Sequence, residues 1–319
     1  MSRSAPVLAI TGPTASGKTG VSIPTALRLG GEIVSMDSRQ VYRGMDVGTD
    51  KVRPDEREAV PHHGLDLVDP SERYSAGRWA REARGWIGQI EGRGRLPILV
   101  GGTGFFLRAL TTPLFRQPTL DPERRRRLEE WLGGLDRDEL ARWSARLDPA
   151  RAETAAEGGR QRLSRSIEVA LLTGRPLSWW HAHAAPAVEG VEVRVVLLEL
   201  PREVLYRRIN ERVVSMFRRD RLLDEVRALL ATGATPRDPG MTGTGYREAA
   251  MVLAGEITEE EAIDRVQRAT RAYARRQLTW FRHQLPSEGR LNLDATRPPA
   301  LLVQEIVEWW QGIGEPGDG

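Results

Sequence analysis

Over the first hundred residues, short apolar runs alternate with stretches of helical period. "PVLAITG" at the start reads as a buried strand, and residues 17 to 29 read as a short helix closed by Gly30-Gly31. "EIVSM", residues 32 to 36, predicts a second strand that runs straight into Asp37. After a polar segment, "YSAGRWAREARGWIGQIEGRG" sets Trp79, Ala83, Trp86 and Ile90 three or four apart, the spacing of one helix face. "LPILVGG" supplies a third strand. Strands alternating with helices predict a parallel α/β sheet with short connections.

The alternation stops near Pro118. From Asp121 to about Pro186 every signal is helical, in "DPERRRRLEEWL", "DRDELARWSARL" and "QRLSRSIEVALLTGRPLS". Strand character returns at "VEVRVVLLEL", residues 191 to 200. The economical organisation is a core begun by residues 1–119, an all-helical insertion over 120–190, and completion of the core by 191–319. After Pro201 a helix is predicted through Ile209, Val213, Met216 and Phe217, followed by "RLLDEVRALLATG". Thr258 and Glu261 have capping-box spacing, and a long helix follows to about His283. "RLNLD" and "PALLVQEIVEWW" give a last strand and helix before a polar tail expected to fray.

Composition narrows the chemistry. The apolar runs fall far short of the roughly 20 residues of a membrane span, and no signal-peptide core precedes the first strand, so a cytoplasmic protein without membrane contact is expected. Cysteine is absent, which excludes disulfides, thiol nucleophiles, cysteine-bearing zinc fingers and Fe–S clusters. All but two of the 47 basic residues are arginine, so Lys18 and Lys51 mark places where a compact ammonium is wanted and a planar fork is not. Arginine outnumbers the acids between 201 and 290, which permits a polyanionic partner.

The sharpest motif is Gly12-Pro13-Thr14-Ala15-Ser16-Gly17-Lys18-Thr19, which fits G-x-x-x-x-G-K-[ST] after a strand and before a helix. Such a loop turns backbone N–H groups and the positive end of a helix toward a diphosphate or nucleotide. Lys18 would reach the outer phosphate oxygens, and the Thr19 hydroxyl would ligate Mg²⁺. A hydrolytic protein with this loop adds a strand ending in Asp to hold the metal, but the third strand here ends "ILVGGTG". No guanine signature N-K-x-D occurs either. The loop is thus expected to hold a diphosphate with some other fate than motor or switch hydrolysis.

Ligands of an open parallel sheet lie beyond the carboxyl ends of its strands, which brings together the loop, Asp37-Ser38 and Gly101-Gly102-Thr103. Asp37 near a phosphate chain is a natural proton acceptor, or else caps the next turn. Thr103 offers a hydroxyl or a helix cap, and Gly101, Gly102 and Gly104 would let backbone approach a ligand. Two readings fit. In a small-molecule kinase Asp37 deprotonates an attacking alcohol; in the other the diphosphate leaves, and what it carried is transferred.

"DSRQVYRGMDVGTDK", residues 37 to 51, separates them. With "GPTASGKT", "GGTGFFLRAL", "QRLSRSIEVALLTGRPLS", "GYREA" and "YARRQLTWFR", in order from residue 9 to about 282, it closely resembles the tRNA dimethylallyltransferases of the IPP transferase family. That resemblance implies a P-loop NTPase-like parallel sheet flanked by helices, with an inserted all-helical domain that binds tRNA. It implies transfer of a dimethylallyl group from dimethylallyl diphosphate, with Mg²⁺, to N6 of adenosine-37 in the tRNA anticodon stem-loop. By the same resemblance Lys18, Asp37 and Thr103 are catalytic, residues 12 to 19 hold the diphosphate, and Thr19 holds the metal. Contact with tRNA falls to Asp37, Ser38, Arg39, Gln40, Thr103, Arg125, Gln161, Arg162, Leu163, Ser164 and Arg165.

The family's acidic positions before the Gln-Arg run are Gly158 and Gly159 here, its usual Gly before "LLDEV" is Arg221, and its usual Ile before "GYRE" is Thr244. In "RATRAYARRQLTWFR" the arginines 268, 271, 275 and 282 approximate one face, while Tyr273, Trp280 and Phe281 read as core. A monomer is expected. Adenylate isopentenyl transfer, small-molecule phosphorylation and a non-catalytic RNA-binding role stand as alternatives.

Overall fold

A computed structural model of the chain describes residues 6–112, 120–183, 190–285 and 289–314. In chain order the elements of the first half are β1 (Val7–Thr11), α1 (Lys18–Leu29), β2 (Gly31–Ser35), α2 (Pro54–Ala59), β3 (His62–His63), α3 (Ala76–Gly92), β4 (Leu96–Gly101) and α4 (Gly104–Thr111). Five helices follow, α5 (Pro122–Gly134), α6 (Arg137–Leu147), α7 (Ala152–Glu157), α8 (Gly159–Thr173) and α9 (Leu177–His183). The rest comprises β5 (Val193–Glu199), α10 (Arg202–Arg218), α11 (Leu222–Ala231), α12 (Tyr246–Leu253), α13 (Glu259–Gln284), β6 (Arg290–Asp294) and α14 (Pro299–Gly314). These elements form two compact units, Met1–Thr112 with Gly190–Gly319, and Pro113–Glu189.

The first unit is built on a six-stranded sheet in the order β3-β2-β4-β1-β5-β6, with every pairing parallel. The central strand β1 is paired on both sides, Leu8 lying opposite Ile98 of β4 and Arg194 of β5. All five of its residues are buried, as are all five of β2, where Glu32 and Ser35 are buried along with Ile33 and Val34, so neither strand alternates as a half-buried one would. Leu8, Ile10, Ile98, Val196 and Leu198 share a core with Val21 and Ala26 of α1 and with Leu302, Val303 and Ile306 of α14.

Helix α3 packs its own apolar stripe, with one correction to the sequence reading. Trp79, Ala83, Ile87 and Ile90 are buried, whereas Trp86 is only half-buried and stacks beside His63. Ser75 caps α3 by accepting from the Arg78 N–H at 3.2 Å. The Trp79 ring stacks on Phe106 of α4 at 4.8 Å, and its indole N–H donates to the Ser35 carbonyl at 3.0 Å. This bond fixes the end of β2 just before Asp37. At the same level the Thr11 hydroxyl donates to the Gly101 carbonyl at 2.8 Å, tying β1 to β4 where the ligand-facing loops begin.

The helical unit has a core of Leu132, Leu140, Ala155, Leu163 and Ile167. Its first two helices start on side-chain caps: Asp121 accepts from the Glu123 and Arg124 N–H groups, and Asp136 forms a reciprocal box with Glu139. Elements α2, β3, α4 and α12 go unseen in the hydrophobic pattern. Each spans eight residues or fewer, too short to establish a period. Among the described residues no helix is long and apolar enough to cross a membrane.

Candidate active site

The turn after β1 is shaped by two left-handed residues, Ala15 (φ 63°) and Gly17 (φ 86°), and α1 begins at Lys18. The Ser16 N–H closes the turn on the Pro13 carbonyl at 3.2 Å. Lys18 Nζ folds back into the loop and donates to the Gly12 and Pro13 carbonyls at 3.1 and 2.8 Å. Burial lowers the Lys18 pKa from its ordinary 10.5 to about 8, opposed by the charge of Asp37 and assisted by that of Arg212.

Arg212, from the middle of α10, lies against the same loop. One arm donates to Thr14 Oγ1 at 2.7 Å and the other to Asp50 Oδ2 at 2.9 Å. Two polar atoms here are buried without a partner, Ser16 Oγ and Arg212 Nε. Unpaired donors beside a nest of backbone amides are what an anionic group would complete.

Asp37 follows β2. Its Oδ1 accepts from the Arg39 N–H at 2.8 Å, an Asx turn that leaves the second oxygen able to accept. Thr103 stands at the head of α4 but makes no side-chain cap to it. Its Oγ1 instead accepts from the Ser38 N–H at 3.1 Å, and its own N–H donates to the Met36 carbonyl at 3.2 Å. Asp37 and Thr103 are thereby fastened to each other through the backbone of residues 36 to 38. Tyr273 of α13 lies beside Thr103 and feels Asp37; desolvation first, and that charge second, push its phenol up to about 12.

The glycines of "GGTG" have a different purpose from the one expected of them. A Cβ on Gly101 would lie 2.2 Å from the Met36 carbonyl oxygen, one on Gly102 2.4 Å from Gln277 Nε2, and one on Gly104 2.2 Å from the Trp280 ring. Their missing side chains make room for the Met36 backbone just after β2 and for Gln277 and Trp280 of α13.

The segment from 37 to 51 is held by its own side chains together with groups from other elements, above all Glu225. The Gln40 carboxamide accepts from Ser35 Oγ at 3.0 Å and donates to the Asp50 carbonyl at 3.2 Å; Arg39 donates to the Pro239 carbonyl at 2.9 Å. Both residues, expected at RNA, already serve the protein. Glu225 of α11 accepts three successive N–H groups, from Asp46, Val47 and Gly48, and the Tyr246 hydroxyl. Lys51 Nζ is buried and donates to the Tyr42 carbonyl, Asp46 and Asp66 at 2.8, 2.6 and 2.7 Å. Three donors with three acceptors around a point is the geometry an ammonium meets and a guanidinium does not. Lys51 is therefore a staple of this loop.

In the helical unit, Arg125 pairs with Glu129 at 3.1 Å and Glu168 at 2.7 Å, and Arg165 reaches Glu168 at 2.9 Å. Gln161 is exposed and Ser164 half-buried. Leu163 departs from its expected role: it is fully buried in this unit's core, so its side chain supports the helix and cannot meet RNA. Arg162 crowds Gly158, where a Cβ would lie 1.8 Å from its side chain, so a glycine in place of the family's acid leaves Arg162 its room.

Sequence reasoning missed Arg212, Asp50 and Gln277, and took Tyr273 for core. Gln277 and Asp50 lie inside stretches that carry the resemblance, but nothing in the period of α10 singles out Arg212 from its neighbouring arginines. Two of the arginines of α13 are spent on α10, Arg271 on Asn210 Oδ1 at 2.6 Å and Arg275 on the Tyr206 hydroxyl at 3.3 Å.

A family model described as IPP transferase matches residues 40–284. The tRNA dimethylallyltransferase of Syntrophobacter fumaroxidans is 44% identical over 277 residues, which are 87% of this chain and 81% of that protein. That of Anaeromyxobacter dehalogenans is 45% identical over 308 residues, covering 92% and 99%. Among solved structures, the full-length tRNA isopentenylpyrophosphate transferase of Bacillus halodurans aligns with a TM-score of 0.69 at 35% identity, over 97% of this chain and 96% of that one. A eukaryotic dimethylallyltransferase captured acting on tRNA aligns with a TM-score of 0.76 at 29% identity, over 92% and 74%.

Proposed function

The chain belongs to the IPP transferase family, and on that footing we propose that its site transfers a dimethylallyl group from dimethylallyl diphosphate to N6 of adenosine-37 in the tRNA anticodon loop, releasing diphosphate. The protein is a prenyl-transferring enzyme that acts on tRNA; the donor, the acceptor atom and the residue roles are the proposal. The observation that carries it is Asp37, tied to Thr103 through the backbone of residues 36 to 38 and close enough to the phosphate loop for its charge to act on Lys18.

The allylic C1–O bond breaks with its electron pair going to the diphosphate, and the N6 lone pair of adenine forms the new C–N bond. Charge that develops on the departing oxygens would meet Lys18, Arg212 and the amides at the start of α1, gathered on the bound diphosphate before the bond stretches. Lys18 must exchange its two carbonyl partners for phosphate oxygens, so diphosphate binding draws the ammonium out of the loop. The adenine amine is a poor nucleophile because its lone pair is conjugated into the ring. Asp37 Oδ2 takes its proton as the bond forms, while Thr103 holds the approach.

Magnesium is proposed as the accompanying ion. Among the described residues no cluster of three or more His, Asp or Glu could hold a metal. Thr19 offers one hard oxygen at the start of α1, which suits an ion bound mainly through phosphate oxygens and water. Such an ion supplies charge neutralisation on the leaving group. Arg125, Gln161, Arg162, Ser164 and Arg165 are proposed as tRNA contacts of the helical unit, giving affinity and register. The target base leaves its stack, at less cost in a loop than in a duplex. One chain supplies every group named, so a monomer is the proposed working unit.

The test combines the protein, Mg²⁺, labelled dimethylallyl diphosphate and undermodified tRNA, with AMP as competitor. Label in adenosine-37 is expected. Label in AMP in preference to tRNA, or none in either, would count against the proposal.

A further inference from the structure

Thr14 in the phosphate loop and Gly102 beside Thr103 belong to loops far apart in sequence, and one side chain joins them. Gln277 of α13 is 7% exposed; its Oε1 accepts from the Thr14 N–H at 2.9 Å, and its Nε2 donates to the Gly102 carbonyl at 2.9 Å. The orientation of the carboxamide is set by its partners, since the Thr14 N–H can only donate and the Gly102 carbonyl can only accept. The fit is close, because a Cβ on Gly102 would come within 2.4 Å of Nε2 and 3.2 Å of the Gly12 carbonyl oxygen. Tyr273 and Trp280 lie four residues before and three after on the same helix face, the first beside Thr103 and the second filling the space over Gly104.

We propose that Gln277 is a positioning residue for prenyl transfer, its carboxamide setting the distance between the loop that holds the diphosphate and the loop that holds the acceptor. This rests on the function proposed above. The two loops hold different substrates, and the allylic carbon and the amine must meet in line at contact distance. A misplacement of about 1 Å costs on the order of 100-fold in rate. A rigid amide bonded to both loops fixes that distance directly. No other residue type of this length presents one donor and one acceptor: Glu lacks the donor, Met lacks both, and Asn falls one methylene short.

The test compares the full-length wild type with Gln277→Met, which removes both bonds at similar volume, and Gln277→Glu, which keeps the acceptor for Thr14 but turns a carboxylate oxygen toward the Gly102 carbonyl. Thermal midpoint, Kd for tRNA, and the single-turnover rate of label transfer at saturating substrates are measured on each. The rate is expected to fall about 10- to 100-fold in both variants, with tRNA affinity within about twofold, as for any loss confined to alignment. Should Gln277→Met fail to fold, Gln277→Glu carries the comparison. Variants that are less heat-stable but retain the wild-type single-turnover rate, or whose only change is a weaker Kd for tRNA, would overturn the positioning role. A wild type that transfers no label would instead sink the proposed function.

Discussion

Lys18 is held at a pKa of about 8 by burial in a loop that contains nothing else to neutralise it fully, and a bound diphosphate would favour its charged form. Binding therefore selects the ammonium, and above pH 8 the protein must take up a proton to bind. The apparent Kd scales as one plus ten to the power of pH minus pKa, so it is nearly flat below pH 7.5 and rises tenfold per pH unit well above 8. Between pH 7.5 and 9.5 the affinity for dimethylallyl diphosphate should fall about 25-fold, near 1.9 kcal/mol. The ligand's own last ionisation, about 6 for a phosphate ester, is complete throughout that range. Titration calorimetry in two buffers of different ionisation enthalpy measures both the Kd and the proton uptake. Lys18→Arg is the control: its guanidinium stays charged, so its affinity, lower because a fork fits poorly between the Gly12 and Pro13 carbonyls, should be pH-independent. A flat wild-type profile would refute the reasoning, and so would an equal slope in Lys18→Arg, because some other group would then be titrating.

Asp37→Asn should lower kcat by about 10²- to 10⁴-fold while tRNA affinity in a filter-binding assay stays within about twofold; equal loss of both would make Asp37 merely the turn residue that its bond to Arg39 allows. Lys51→Met leaves Asp46 and Asp66 without their shared cation and should destabilise the fold by about 3 kcal/mol, the low end for a broken buried pair because both carboxylates keep some water; a thermal midpoint unchanged within 2 °C or so would contradict this. Arg221 sits at φ 63° where the family usually has glycine, and its bond to Asp224 is solvent-exposed. Arg221→Gly should therefore raise the midpoint by a few degrees, for relief of about 1 kcal/mol of left-handed strain, with turnover unaltered; a fall would show that the exposed ion pair outweighs the strain.

The local code of the chain was enough for the alternation of strands and helices, the phosphate loop, and the position of Asp37 at a strand end. Each of these rests on near neighbours: an apolar run, a glycine spacing, a turn that follows a strand. The resemblance carried the helical insertion's RNA-contact run into view, but it included Leu163, whose apolar character alone marks it for the core. What only the tertiary structure decided is which groups from distant elements face the loop. Arg212 is one arginine among many on α10 until the helix crosses the loop and leaves its Nε buried and unpaired. Gln277 is an ordinary polar position until α13 brings it against two backbones at once. The glycines of "GGTG" look like a ligand's clearance until the space above them proves to be filled by Gln277 and Trp280. Periodicity reports which face of a helix is apolar; it holds no information about what a polar side chain on that face will meet, because the partner is chosen by packing between segments far apart in the chain.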